Sequence, residues 1–272
     1  KGEGPELAKR FGVRAYPTFL ILRPDGTVQH KIVGGGDLDK FIAKVEKGLN
    51  EKTSLDYLNK IHEKGKMNKK QLMTYSVVLN EAYEKDKSEK VGKELDAVLK
   101  EKDKMKKEYW PILERSPYGS DNFKLVLNNI GTFNKNIGKE NVDKYLTSCY
   151  KNAINNTMRP NTKEPLKVLQ QIQEELTKLD LADQATLTRS LELNQACLEK
   201  NNKVIELAGH VESNKNGELW SIFNAINSVR GNISKEDLNK IIVLEDKFLG
   251  FADENGKTYI KNYFENLKIA AH

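Results

Sequence analysis

Two kinds of hydrophobic spacing divide the chain. In residues 1–50 apolar positions form one continuous run and one alternating run. After Leu49 they recur every three or four residues as far as the end. The run Tyr16-Pro-Thr-Phe-Leu-Ile-Leu22 is β-branched and aromatic, and its continuity predicts a strand covered on both faces. Arg23-Pro-Asp-Gly26 reads as a turn, with Pro24 presetting its own φ and Gly26 supplying a positive one. Thr27 to Val33 alternates, with Val28, His30 and Ile32 on one side, and completes an antiparallel hairpin. Before it, Pro5 to Phe11 has the form of a short helix ended by Gly12. After the breakers Gly34, Gly35 and Gly36, Asp37 is placed to cap a helix carrying Leu38, Phe41, Ile42, Val45 and Leu49.

The remainder reads as on the order of ten amphipathic helices of a few turns each. Their stripes include Leu72, Tyr75, Leu79 and Ala82; Val91, Leu95, Val98 and Leu99; and Phe123, Val126, Leu127 and Ile130. Next come Val142, Leu146, Cys149 and Ala153; Leu166, Leu169, Ile172 and Leu176; and Leu187, Leu191 and Leu198. The last are Val204, Leu207 and Val211; Leu219, Ile222, Phe223 and Ile226; Leu238, Ile241 and Phe248; and Tyr263, Phe264 and Leu267. Stops are expected at Gly65, Gly138, Gly217, Gly231 and Gly256, and around Arg159 to Pro165. Capping-box spacing is present at Thr53 with Asp56 and at Ser234 with Asp237. The fold class is therefore mostly α: a helix–hairpin–helix segment over 1–50, then an all-helical region over 51–272. Short links between helices are compatible with a stacked α-solenoid or with a compact helical domain.

Composition adds limits rather than a function. The chain of 272 residues is 31% charged and 38% hydrophobic, and Lys and Glu both favour helix. The net charge is +6, but lysines alternate with acidic residues, as in Lys100 to Glu108, so the expectation is solvated helix faces and no nucleic-acid partner. No apolar segment is long enough to span a membrane. Cys149 and Cys197 lie far apart on helical stripes and are expected to be buried structural thiols, with a bridge between them left open. His30, His62, His210 and His272 have no His or Cys neighbour at ligand spacing, so no metal site is expected; His30 and His210 read as surface or boundary residues. Asp253-Glu-Asn-Gly256 fails as a calcium loop, since Phe251 would stand where a carboxylate is needed, and reads as a helix-breaking turn. No nucleotide or other cofactor motif is present. Tyr109 and Trp110 precede Pro111 at a helix start, and Trp220 shares a stripe with Phe223; all are expected in the core.

The ordered string in residues 1–50 resembles the C-terminal half of a thioredoxin-type, disulfide-isomerase-like fold. Phe11, Gly12, Val13, Tyr16, Pro17, Thr18, Phe19, Gly26 and Gly34 fall where that family's pattern has them. The resemblance implies that Pro17 is a cis-proline, that Tyr16 offers main-chain hydrogen bonds to a client peptide, and that Gly34 lines the same groove. It also implies redox chemistry by a Cys-x-x-Cys pair, which this chain lacks, so no catalytic residue is assigned within it. Since it opens with Lys1 inside the pattern, the chain reads as a fragment or processed product. The helical region is similar in scale to tetratricopeptide arrays but lacks their signature. A looser likeness to extracytoplasmic thioredoxin-family proteins of bacteria implies a periplasm.

Two functions follow. One is the C-terminal part of a thiol–disulfide oxidoreductase, with Tyr16, Pro17 and Gly34 as client groove and the helices holding a protein or peptide client. The other is a non-catalytic helical scaffold for protein interaction, with a vestigial thioredoxin segment.

Overall fold

The computed structural model describes residues 2–211, 214 and 218–271. The stop expected at Gly217 and the residue His272 lie outside them. The fold is mostly helical with one small sheet, and its contacts divide it into two compact units, Lys1–Lys139 and Glu140–His272.

The first unit opens with α1 (Gly4–Arg10), which carries Pro5 in its first turn and is followed by Gly12 at φ +60. Strands β1 (Thr18–Leu22) and β2 (Val28–Val33) pair antiparallel, Thr18 opposite Val33 and Ile21 opposite His30. The turn between them forms as the residues dictate: Gly26 has φ +80, its N–H donates to the Arg23 carbonyl at 2.9 Å, and Asp25 accepts from the Thr27 N–H at 2.9 Å. Helix α2 (Leu38–Leu49) starts where Asp37 accepts from the Lys40 N–H at 3.2 Å. A 3-10 turn over Glu51–Thr53 leads to α3 (Leu55–Glu63). Here the cap is Ser54, which accepts from the Tyr57 N–H, and not Thr53. The Thr53 hydroxyl instead donates to the Lys47 carbonyl at 2.6 Å and ties the turn back to α2. Then follow α4 (Lys69–Glu81), with a capping box of Asn68 and Gln71, and α5 (Lys85–Val98). The unit ends with α6 (Glu101–Lys104), α7 (Trp110–Leu113), α8 (Asp121–Asn128) and α9 (Ile130–Ile137).

The second unit is built on α10 (Lys139–Asn156), α11 (Pro165–Leu176), α12 (Gln184–Leu198) and α13 (Lys203–Gly209). It continues through α14 (Glu218–Val229), α15 (Lys235–Ile242), α16 (Glu245–Leu249) and α17 (Glu254–Ala271). Helices contact neighbours one or two steps along the chain: α12 meets α11, α13 and α14, and α17 meets α15 and α16. One apolar cluster runs from Leu193 through Phe223, Ile226 and Phe248 to Phe264 and Leu267. Burying a side chain such as Phe264 removes its apolar area from water, worth roughly 1.5–3 kcal/mol.

Most expected stripes of the later helices are buried, with Val98 and Leu166 exposed at helix ends, whereas on α2 Leu38, Ile42 and Leu49 of the expected stripe are exposed. Several differences are physical. Lys100 to Glu108 is not a plain solvated face, because Asp103 is buried and accepts from Lys69 at 2.9 Å and Lys106 at 2.8 Å. Those hydrogen bonds hold its carboxyl well below the usual carboxylate range. Gly256 does not break a helix. It lies in the first turn of α17, where its N–H donates to Asp253 Oδ1 at 2.8 Å. Strand β1 is not covered on both faces: none of its residues is fully buried, and Phe19 and Leu22 are more than two-fifths exposed.

Candidate functional site

The three residues singled out in the sequence converge at the head of the hairpin. The Tyr16–Pro17 peptide bond is cis. The Pro17 carbonyl accepts from the Gly34 N–H at 2.9 Å, which joins the entry to β1 to the exit from β2. Gly34 has φ +86, a conformation costly for any residue with a Cβ, and no atom lies within 4 Å of where that Cβ would stand. The space over Gly34 is therefore open. Tyr16 is 78% exposed.

Main-chain polarity along this edge follows from the register. The Pro17–Gly34 bond makes that pair hydrogen-bonded, so Phe19 opposite Ile32 and Ile21 opposite His30 turn their N–H and C=O groups toward β2. Thr18 and Leu20 turn theirs away. Among the described residues the sheet has two strands only, and the outward groups of Thr18 and Leu20 and the main chain of Tyr16 have no main-chain partner. An extended polypeptide laid along Tyr16 to Leu20 meets a row of unused donors and acceptors.

Beneath the edge the sheet rests on α2. Phe19 packs edge-on against Phe41, ring centroids 4.7 Å apart. His30 is fully buried, contrary to its reading as a boundary residue. Its Nδ1 accepts from the Leu55 N–H at 3.0 Å, one of the donors that a helix start leaves without an intrahelical partner. That bond puts the ring proton on Nε2, which is buried and has no partner among the described residues. Burial first, and the Lys47 charge second, lower the His30 pKa to about 4. Two ion pairs join the hairpin and α2 to the following helices: Lys31 with Glu84, and Lys47 with Glu81, whose carboxylate Lys47 reaches at 2.9 Å.

The two cysteines lie on α10 and α12. Both are buried and neither forms a disulfide. Burial pushes the Cys149 thiol up to about 11, against a hydrogen bond with Tyr145 that pulls the other way. The Cys197 Sγ lies 3.0 Å from the Ser228 hydroxyl. Among the described residues no cluster of three His, Cys, Asp or Glu could hold a metal, and no helix is long and apolar enough to cross a membrane.

Sequence reasoning missed one aromatic site. Tyr109 and Trp110 are buried as expected, but Trp220 is half exposed and lines a groove with Tyr259. The signal was available only in the helix phase: Trp220 lies next to the buried Leu219 and three residues before the buried Phe223, at the margin of the stripe. No protein-family model, curated protein or solved structure matches the chain.

Proposed function

We propose that the chain binds protein or peptide clients, taking an extended segment along Tyr16, Pro17, Thr18 and Leu20, as the client-facing part of a thiol–disulfide oxidoreductase. The observation that carries this reading is the outward row of main-chain groups on β1, with Tyr16 exposed at its head and open space over Gly34. Added strands bind by such main-chain ladders, with little demand on the client's sequence. The resemblance of the string from Phe11 to Gly34 to a thioredoxin-type half supplies the redox context. In this reading the thiols that react lie outside residues 1–272, since Cys149 and Cys197 are buried. An oxidising compartment such as a bacterial periplasm goes with it. The scaffold reading, in which the helices alone bind partners, has its own support in the groove beside Trp220.

The test uses two labelled peptides of one apolar extended sequence, the second N-methylated at every residue. Fluorescence anisotropy on the full chain is expected to give saturable binding of the first and at least tenfold weaker binding of the second, whose methyl groups remove the N–H donors from both edges of its ladder. Equal affinities, or no binding, would remove the strand-addition reading.

A further inference from the structure

Helix α2 carries an apolar stripe that its packing on the sheet leaves uncovered. Leu38, Ile42 and Leu49 are 69%, 45% and 62% exposed, and their spacing puts them on one helix face. The face that packs is the adjoining one. Phe41 meets Phe19 of β1 with ring centroids 4.7 Å apart, and a Cβ on Gly48 would stand 2.7 Å from Ile21 Cδ1. On the opposite flank of α2, Lys47 reaches Glu81 of α4 at 2.9 Å. The β2 side of the sheet is closed by α3, whose Leu55 N–H donates to His30 at 3.0 Å. The stripe therefore opens on the β1 side, below the free edge, where Phe19 is itself 41% exposed.

The register decides which part of an added strand faces this stripe. Thr18 and Leu20 supply the outward main-chain groups, so client residues opposite Phe19 and Ile21 hold their side chains on the α2 face of the sheet. The residues between them point away. Charge narrows the client further. Along the outer margin of the stripe stand Asp39 and Glu46, both exposed, whereas Lys40 and Lys47 lie on the other side of the helix. In a chain of net charge +6 this margin is acidic, and such a margin favours a basic partner. Building on the strand-addition reading, we infer that the client is an extended segment with two apolar residues two positions apart, flanked at the same spacing by Lys or Arg. The apolar pair sits on Phe19, Leu38 and Ile42, and the flanking cations face Asp39 and Glu46. The main-chain ladder supplies the attachment, and α2 supplies the choice of side chains.

Three labelled, blocked heptapeptides test this by anisotropy on the full chain. Lys-Ser-Leu-Ser-Ile-Ser-Lys places all four selected side chains on one face. Lys-Ser-Ser-Leu-Ile-Ser-Lys has the same composition with its apolar pair split between faces, and Glu-Ser-Leu-Ser-Ile-Ser-Glu reverses the charge. The first is expected to bind saturably, the second at least fivefold more weakly and the third at least tenfold more weakly. Leu38→Gln combined with Ile42→Gln, both at exposed positions, should keep the wild-type circular dichroism and bind the first peptide no better than the second. The Ile42 methyl resonance should shift when the first peptide is bound. Equal binding of the first two peptides, wild-type affinity in the double variant, or an unmoved Ile42 methyl would overturn the seating on α2 and leave strand addition standing. Failure of all three peptides to bind would remove both. A dimer of the free chain that the double variant converts to monomer in sedimentation would also overturn the proposal, because the stripe would then be covered by a second copy.

Discussion

His30 concentrates more of the physics of this chain than any other residue. It is a titratable ring with no exposure, accepting one hydrogen bond through Nδ1 and leaving Nε2 without a partner. Protonation would put a proton on Nδ1, facing the Leu55 N–H, and would charge a ring already near Lys47. The folded pKa, about 4, lies below the model-peptide value of 6.5. The unfolded chain therefore binds this proton first as pH falls. The stability that the neutral ring supplies is complete above pH 6.5, declines as pH falls toward 4, and is lost below it. The shift caps the loss at about 3 kcal/mol. Urea unfolding at pH 7 and pH 4.5 should differ by a large part of that amount in the wild type and by much less in His30→Phe. Equal pH sensitivity in both would place the acid-labile group elsewhere. From the sequence, His30 read as a surface or boundary residue because a lone histidine on an alternating strand gives no sign of how deep the far side is. Its depth comes from α2 and α3 closing over the strand.

At the scale of elements, the close packing of α2 on the sheet depends on Gly48. A Cβ there would stand 2.5 Å from His30 Cδ2 and 2.7 Å from Ile21 Cδ1. Gly48→Ala should gain up to about 1 kcal/mol in helix propensity and lose about 1–3 kcal/mol to overpacking, for a net loss. Gly92→Ala in α5, where a Cβ meets nothing within 4 Å, should show the gain alone. Chemical denaturation of the two variants checks this, and similar stabilisation by both would contradict the packing. Periodicity made the helices legible, and Asp37 and Ser234 cap as their sequence positions suggest. It gave the wrong sense to Gly256, because an Asp-x-x-Gly segment can stop one helix or start the next, and the choice rests on Asp253 bonding forward to the Gly256 N–H. It also placed Trp220 in the core, since a residue at the margin of a stripe is buried only if a further layer covers it.

For the whole molecule, the change of pattern after Leu49 and the division into compact units after Lys139 describe different things. The first marks where strands give way to helices. The second marks the limit of a compact unit, in which the hairpin belongs with α3 to α5 through His30 and the pairs Lys31–Glu84 and Lys47–Glu81. Such contacts pair residues 25 to 53 positions apart, so local pattern could not reveal them. The converging residues Tyr16, Pro17 and Gly34 were legible as an ordered string; the outward edge of Thr18 and Leu20 required the register. Burial of both cysteines has a direct consequence for reactivity. Ellman's reagent should titrate no thiol rapidly in the native chain and two after denaturation. A rapidly titrating native thiol would contradict that burial. The central claim, that β1 offers its free edge to an extended client, is tested most directly by amide hydrogen exchange at Thr18 and Leu20. Both amides should exchange fast in the free chain and slow at least tenfold when the apolar peptide is bound, with Phe19 and Ile21 little changed. Amides at Thr18 and Leu20 that are already protected in the free chain, or unaltered by bound peptide, would contradict it.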